Sequence, residues 1–389
     1  MNIRIPYESI GDLGEVEFVS FILDRDNNSI FRRDFGRISD PWFFNKSKNH
    51  VIIEPSLYES CDTVIFYPYR RNKGWGDKVK IHKNDKKFSI ANASLEFLKN
   101  SEKKGDVNLL KKWLKRGLQI PLKEDAKGEK NLIYFTAFAN QEYLKLLRLL
   151  LKGLKAQPFK NFDILFITDK KTKKELVKIR DLNAFNVDYH ILKTINDPVY
   201  ASMQKLKIYQ YPKIKDYKKI LFLDMDILVL GDMTKIFEEK IRSNILYSGI
   251  QRYNLDIHNS VYHTIRDYSK EQLEKFERLG IFPFNAGQFL FLNTSTMRKH
   301  FKNIDEFTQK WDGRFFFEQS YLNTYFNTLQ ITDIFKFKEQ FGFISINIKD
   351  TEYKPNENTV IVHFMGSIAE PNGKLNFVKQ HYSDFFNKV

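Results

Sequence analysis

The chain has 389 residues and a single cysteine, Cys61. One cysteine excludes an internal disulfide and any cysteine-based metal cluster. No apolar run reaches the length of a membrane span. The stretch Met1-Asn2-Ile3-Arg4-Ile5-Pro6-Tyr7-Glu8 lacks the charged-then-apolar order of a secretory leader, so the expected location is the cytoplasm. Acidic residues are in the minority, with 48 Asp and Glu against 63 Lys and Arg and a net charge of +15. That surplus creates a field that attracts anions: nucleotides, nucleic acid or an acidic membrane face. The lysines are scattered and no nucleic-acid signature is present, so nucleic acid is not an expected partner. Aromatic residues are abundant instead, with 36 Phe and 19 Tyr in a chain that is 42% hydrophobic. This is the composition of a folded protein, and its length exceeds one ordinary core, so two domains are expected.

Residues 1–125 read as a smaller, mostly-β accessory domain. Short runs of strand character recur at Val16–Ile22, Val51–Glu54, Thr63–Tyr67 and Val79–Ile81, separated by polar turns such as Asp26-Asn27-Asn28. A helix follows near Asn108 to Arg116, with Leu109, Leu110, Trp113 and Leu114 on one face. This region carries no chemical motif. The charged stretch Leu122–Lys130 reads as a linker. From there to the strand that ends at Asp226 the pattern alternates between strand and helix, and after Asp226 the alternation weakens. Leu132–Thr136, Asp163–Asp169 and Val187–Ile191 read as strands. Gln141–Lys155, Thr172–Leu182 and Met203–Tyr211 read as helices, the first of them capped by Asn140 and buried along Tyr143, Leu147, Leu150 and Leu154. Such alternation means a parallel sheet with right-handed crossovers. No glycine-rich phosphate loop follows the first strand, which removes support for a dinucleotide fold or a P-loop. Gln251 to Gly280 reads as a long polar insertion.

The centre of the chain is Lys218-Lys219-Ile220-Leu221-Phe222-Leu223-Asp224-Met225-Asp226. The apolar run reads as a buried strand ending on two carboxylates. In extended backbone, residues two apart face the same side, at the sheet edge where ligands of open α/β folds bind. Two buried like charges repel unless a cation lies between them. Oxygen ligands suit Mg²⁺, Mn²⁺ or Ca²⁺, and such an ion would hold a diphosphate. The alternative is a strand ending in a polar turn, each Asp capping a backbone amide. Farther on, Phe284-Asn285-Ala286-Gly287 reads as a tight turn feeding a strand. Met297–Trp311 reads as a helix, and Phe317-Glu318-Gln319 opens another. Thr359–Gly366 reads as a strand delivering His363 to its carboxyl end.

Taken in order, these segments resemble the glycogenin-like retaining glycosyltransferases of family 8. The resemblance runs from about Leu132 to about Lys374. It rests on Phe135–Tyr143, Gln204-Lys205-Leu206, Phe222-Leu223-Asp224-Met225-Asp226, Phe284-Asn285-Ala286-Gly287, Glu318-Gln319-Ser320-Tyr321-Leu322-Asn323 and Val362-His363-Phe364-Met365-Gly366. It implies an α/β fold of GT-A type, a Rossmann-like mixed sheet with flanking helices, over residues 130–389. It implies a hexose, glucose or galactose, moved with retention from a UDP-sugar to a hydroxyl acceptor that is a glycan, lipid or protein. Asp224, Asp226 and His363 would ligate Mn²⁺, with Mg²⁺ the alternative. Thr136, Ala137, Phe138, Asn140 and Tyr143 would hold the uridine, with Tyr143 stacked on the base. Lys205, Met225, Asn285, Gly287 and Gly366 would also line the donor. Gln319 would lie beside the anomeric carbon, and Glu318 would bond sugar hydroxyls.

The sequence departs from the family at three places. Ala286 stands where the family has Ser, and Glu318 where it has Asp. Ala369 takes the position of a lysine that faces the diphosphate, and Lys374 is the candidate replacement. A non-catalytic UDP-sugar or nucleotide binder and a metal-dependent phosphoryl-transfer enzyme are the rival readings. The aromatic and basic stretch Asn376 to Val389 adds peripheral contact with an acidic membrane surface as an expectation.

Overall fold

The computed structural model describes residues 16–23, 29–37, 44–45, 50–51, 63–70, 74–75, 79–82, 107–138, 141–158, 161–195, 198–250, 283–310, 317–339, 341–347, 358–365 and 372–382. Of the expected features, Asn140, the 251–280 insertion, Gly366, Ala369 and the last residues of the chain lie outside these. The chain divides into two compact units.

The first unit contains the strands β1 (Val16–Leu23), β2 (Ser29–Arg37), β3 (Phe44–Asn45), β4 (His50–Val51), β5 (Thr63–Arg70), β6 (Gly74–Trp75) and β7 (Val79–His82). β1 pairs antiparallel with β2 and β5, β5 also pairs with β6 and β7, and β3 pairs with β4. The β character is as expected, but β2 was not. Its Arg32, Arg33 and Asp34 interrupt the apolar pattern by which a strand is read.

The second unit comprises Asn108–Lys310, Phe317–Met365 and Lys374–Val389. It includes nearly all of α1 (Val107–Leu118), which the sequence reading placed with the N-terminal region. The reason is Trp113: its ring stacks on Phe307 at 4.0 Å, and its Nε1 donates to the Asn303 carbonyl at 3.2 Å. The strands and helices that follow are β8 (Lys130–Ala137), α2 (Gln141–Lys155), β9 (Phe162–Asp169), α3 (Lys170–Leu176), β10 (Val187–Leu192), α4 (Pro198–Met203), β11 (Tyr217–Leu223), β12 (Ile227–Val229) and α5 (Thr234–Glu238). Then come β13 (Leu246–Ile250), β14 (Phe284–Leu292), α6 (Ser295–Thr308), α7 (Phe317–Leu329), β15 (Thr332–Asp333), α8 (Phe335–Glu339), β16 (Phe343–Asn347), β17 (Ile361–Met365) and α9 (Gly373–His381).

Seven of these strands form one sheet in the order β10-β9-β8-β11-β14-β13-β15. β10, β9, β8 and β11 run parallel, β14 runs antiparallel to β11 and to β13, and β15 runs parallel to β13. Every residue of β9 is buried, as helices on both faces require. A second, three-stranded sheet has the order β12-β17-β16. α2 packs closely on β12, and a side chain at Gly153 would run into the Val229 carbonyl. That approach explains a glycine inside a helix, where it costs about 1 kcal/mol relative to alanine.

Two expected helices are tighter than the sequence pattern indicates. After α3, capped by Asp169 Oδ1 accepting from Thr172 N at 2.6 Å, the chain continues as a 3₁₀ turn over Arg180–Ala184. Met203 ends α4, and Gln204–Gln210 is a 3₁₀ stretch. Gln204, Lys205 and Leu206 are all buried.

Candidate active site

Asp224 and Asp226 do not lie on extended strand. β11 ends at Leu223, and the two carboxylates sit in the turn between β11 and β12. Their convergence therefore comes from the turn and not from strand alternation. Two partners fix that turn. Asp224 N donates to Gly287 O at 2.7 Å, and Phe364 N donates to Asp226 O at 3.1 Å. The second bond belongs to the β12–β17 ladder, in which Ile227 faces His363. Register thus carries the histidine to the carboxylates from 137 residues along the chain (363 − 226). One ligand atom from each of Asp224, Asp226 and His363 lies within 4.8 Å of the others.

Gly287 is a structural condition for this cluster. A Cβ there would lie 2.9 Å from Asp224 Oδ2 and 2.8 Å from Asn285 Oδ1, and closer still to His363 Cε1. Asn285 Oδ1 accepts from Gly287 N at 2.6 Å, and its Nδ2 faces Met365 Sδ at 3.2 Å. Ser248 Oγ secures the same stretch, lying 2.6 Å from Asn285 O and 2.8 Å from Gln288 O with one proton to share between the two carbonyls. The segment read as a turn, Asn285-Ala286-Gly287, is already strand, the first residues of β14.

Lys205 is 1% exposed. Its ammonium donates to Asp224 Oδ1 at 3.2 Å, Ala286 O at 3.0 Å and Glu318 Oε1 at 2.6 Å, and lies over the Phe222 ring. These three acceptors account for its three N–H groups. Burial opposes its charge, yet Asp224 and Glu318 hold its pKa above the ordinary lysine value. Glu318 is likewise held below the usual carboxylate range, since Lys205 overcomes the effect of burial. Its Oε2 is buried without a hydrogen-bond partner. Gln319 Oε1 accepts from Ala286 N at 3.0 Å. Asn323, one turn on, accepts from Phe284 N at 2.8 Å and donates to Phe284 O at 2.9 Å. α7 is thereby fastened to β14. The sequence reading quoted Asn323 within a motif and gave it no role.

Lys374, on α9, holds the other aspartate. Its Nζ donates to Asp226 Oδ2 at 2.7 Å and to Phe364 O at 3.0 Å. Burial disfavours ionisation of Asp226, but Lys374 and His363 keep its carboxyl well below the usual range. Burial instead pushes Asp224 up to about 6; Lys205 pulls it down, and Asp226 adds to the rise. The two carboxylates are therefore unlike.

Tyr143 is half-buried near the start of α2, with Lys374 Nζ 5.5 Å from its ring centroid. Thr136, Ala137 and Phe138 lie at the carboxyl end of β8, where Ala137 O accepts from Thr168 Oγ1 at 2.6 Å. Met225, expected to line the donor, has its side chain in the hydrophobic core. A cavity of about 670 Å³, lined by Lys130, Asp163, Asp188, Lys213 and Tyr217, opens at the opposite, amino-terminal ends of β8–β11. Asp163 is taken there by Lys130 and Tyr217, and Asp188 by Lys213 and Tyr211. The chemistry-bearing cluster is at the carboxyl edge.

The profile of Glycosyl transferase family 8 matches residues 124–369, more than half of the chain. The chain belongs to this family. No curated protein matches it. Solved structures with similar folds include the galactosyltransferase LgtC in complex with donor and acceptor sugar analogs. It is 16% identical, with 67% of this chain and 100% of that chain covered and a TM-score of 0.44. The apo glycosyltransferase GlyE of Streptococcus pneumoniae TIGR4 is 16% identical, with 67% and 63% covered and a TM-score of 0.43. Mouse xyloside xylosyltransferase 1 is 15% identical, with 60% and 97% covered and a TM-score of 0.40. The expected α/β fold of GT-A type, with a mixed sheet and flanking helices, is the fold of this family 8 chain. Among the described residues, no helix is long and apolar enough to cross a membrane.

Proposed function

We propose that this family 8 glycosyltransferase moves a hexose from a UDP-sugar to a hydroxyl acceptor with retention, using a divalent cation, Mn²⁺ by preference. The observation that carries the reading is the Asp224–Asp226–His363 cluster, with its ligand atoms inside 4.8 Å at the carboxyl edge of the sheet. The donor set fits a cation. Asp226 Oδ1 lies 3.3 Å from His363 Nε2, so a carboxylate oxygen and a ring nitrogen converge on one point, and His363 Nδ1 is buried without a hydrogen-bond partner. A nitrogen beside two carboxylates favours Mn²⁺ over Mg²⁺. When bound, the ion neutralises charge on the departing diphosphate.

The protein's own groups supply position. Lys205 holds Asp224 and Glu318 at fixed separation. Glu318 Oε2 is the acceptor for a sugar hydroxyl, and Gln319, locked on Ala286 N, stands beside the anomeric carbon. Tyr143, with the Thr136–Phe138 backbone, receives the uracil. The family's serine at position 286 is dispensable in this arrangement, because Ala286 is used through its N–H and carbonyl. That observation supports an active enzyme over a binding protein.

The test is UDP release from a panel of UDP-sugars, with and without Mn²⁺. Release from one sugar, lost on chelation, is expected. Failure to bind UDP at all would overturn the reading.

A further inference from the structure

Two helices of the second unit gather lysines that are scattered in the sequence. α1 and the segment after it run antiparallel along α6. Trp113 stacks on Phe307, Arg116 pairs with Glu306 at 2.8 Å, and Thr296 meets Pro121 and Lys123. The outward face of α1 carries Lys111, Lys112, Lys115 and Arg116, all exposed. The adjoining stripe of α6 adds exposed Lys299 and Lys302, and exposed Lys310 follows its end. From Asn108 to Lys123 the chain has no acidic residue. Opposing these cations are Glu306, already shared by Arg116 and Lys302, and Glu124 at the margin.

Leu118 and Leu122 are 68% and 72% exposed, the two most exposed large hydrophobic side chains among the described residues. Both stand at the end of this basic face, and the backbone that presents them is fastened. Thr296 Oγ1 donates to the Pro121 carbonyl at 2.7 Å and accepts from Lys123 N at 2.8 Å. Asp125 Oδ1 accepts from Ser295 N at 2.7 Å. Leu118 also continues the line of Lys111 and Lys115 at helical spacing. Trp113, by contrast, is 4% exposed and turned inward onto Phe307, so its ring is no platform for a nucleic-acid base.

A lysine-rich face with protruding aliphatic side chains suits an anionic bilayer. The ammonium groups meet the charge of the headgroups while the leucines enter the interfacial layer. A dissolved polyanion gains from the lysines and nothing from the leucines. We propose that the α1–α6 face docks on a membrane that carries anionic lipid, with Leu118 and Leu122 inserted. α1 precedes residue 124, where the family match begins, so membership of the family does not supply this surface. It is also separate from the stretch Asn376 to Val389, where the sequence alone raised membrane contact. The inference goes beyond the transferase reading and uses none of its residues.

The experiment is flotation of the full chain with vesicles of phosphatidylcholine alone, or of phosphatidylcholine mixed with phosphatidylglycerol, over a range of lipid concentrations. It compares the unaltered protein with Lys111→Gln/Lys115→Gln and Leu118→Ser/Leu122→Ser. The control is Lys171→Gln/Lys174→Gln, which removes the same charge from α3. All six side chains are exposed, so the fold tolerates the changes. The unaltered protein should float with the anionic vesicles and not with the neutral ones. The α1 lysine variant should bind roughly 30-fold more weakly, about fivefold for each lysine at an anionic surface. The leucine variant should bind roughly tenfold more weakly, and the α3 control should keep the original affinity. No flotation of the unaltered protein would overturn the inference. Equal losses in the α1 and α3 lysine variants would reduce it to net charge, and full binding by the leucine variant would reduce it to a polyanion surface; either result overturns it. So would a dimer that floats with no vesicle and becomes a monomer in the leucine variant, since a second copy would then cover the face. Neither UDP nor a cation enters the assay, so this inference and the transferase reading stand or fall separately.

Discussion

Gly287→Ala tests whether the site depends on space at one backbone position. The new methyl would lie 2.9 Å from Asp224 Oδ2 and 2.8 Å from Asn285 Oδ1, where ordinary contact begins near 3.4 Å. Relief therefore requires shifts of about 0.5 and 0.6 Å, and a larger one at the His363 ring. Metal–ligand distances tolerate about 0.2 Å, so the Asp224–His363 pair can no longer serve one ion. Gly287 does not have a positive φ, so the backbone accepts alanine, and the fold loses only the ~1–3 kcal/mol of a crowded core. The expected outcome is a soluble protein with Mn²⁺ affinity reduced at least ~100-fold, the upper range for disturbing a metal's surroundings. Thermal unfolding reads this directly. At a Mn²⁺ concentration about 100 times the original dissociation constant, the ion stabilises the unaltered protein by ~2.7 kcal/mol and the variant by only ~0.4 kcal/mol. A Mn²⁺-induced stabilisation of Gly287→Ala equal to that of the unaltered protein would refute the reasoning.

Lys205→Met should destabilise the fold by ~3–5 kcal/mol, because it leaves Glu318 buried, and Asp224 half-buried, without their counter-charge; chemical denaturation that finds no loss would contradict the clamp. Asn323→Leu leaves the N–H and carbonyl of Phe284 unsatisfied, so a loss of ~2–4 kcal/mol is expected, together with slower UDP release as Gln319 shifts. Burial pushes His300 down to about 4 from its ordinary 6.5. Between those values the unfolded chain binds the extra proton, so stability should fall as pH drops from 6.5 towards 4, by about 3 kcal/mol at the limit. Denaturation midpoints for the unaltered protein and His300→Gln across that range should converge in acid; parallel curves would remove His300 as the cause.

Residue type and periodicity made the parallel half of the fold legible. β8, β9 and β11 each carry a long apolar run, whereas half-buried β10 alternates, with Asp188 and His190 between Val187, Tyr189 and Ile191, and α2 carries its stripe at Leu147, Leu150 and Leu154. The second sheet was not legible as a unit. β12 has three residues, too few to show a period, and its partner β17 lies more than 130 residues away. Its register nevertheless decides whether His363 reaches the carboxylates. The 3₁₀ stretch at Gln204–Gln210 was read as an α-helix because sequence periodicity cannot report that Lys205 is buried. A lysine is ordinarily taken as solvated, and only the three acceptors around its ammonium reverse that.

Charge arithmetic links these misreadings to the function. Asp224, Asp226 and Glu318 bring three carboxylates together, and Asp226 and Glu318 are buried outright. Without compensation such groups neutralise by taking up protons, and a protonated carboxyl is a poor cation ligand. Lys205 and Lys374 each hold one end of the cluster ionised, leaving a single negative charge in excess before any metal arrives. A divalent cation then turns the site positive by one, the sign needed to receive a diphosphate. The lysines that sequence reading assigned to the donor are, in the folded protein, bonded first to the protein's own acids. Their effect on the donor follows from the balance they set.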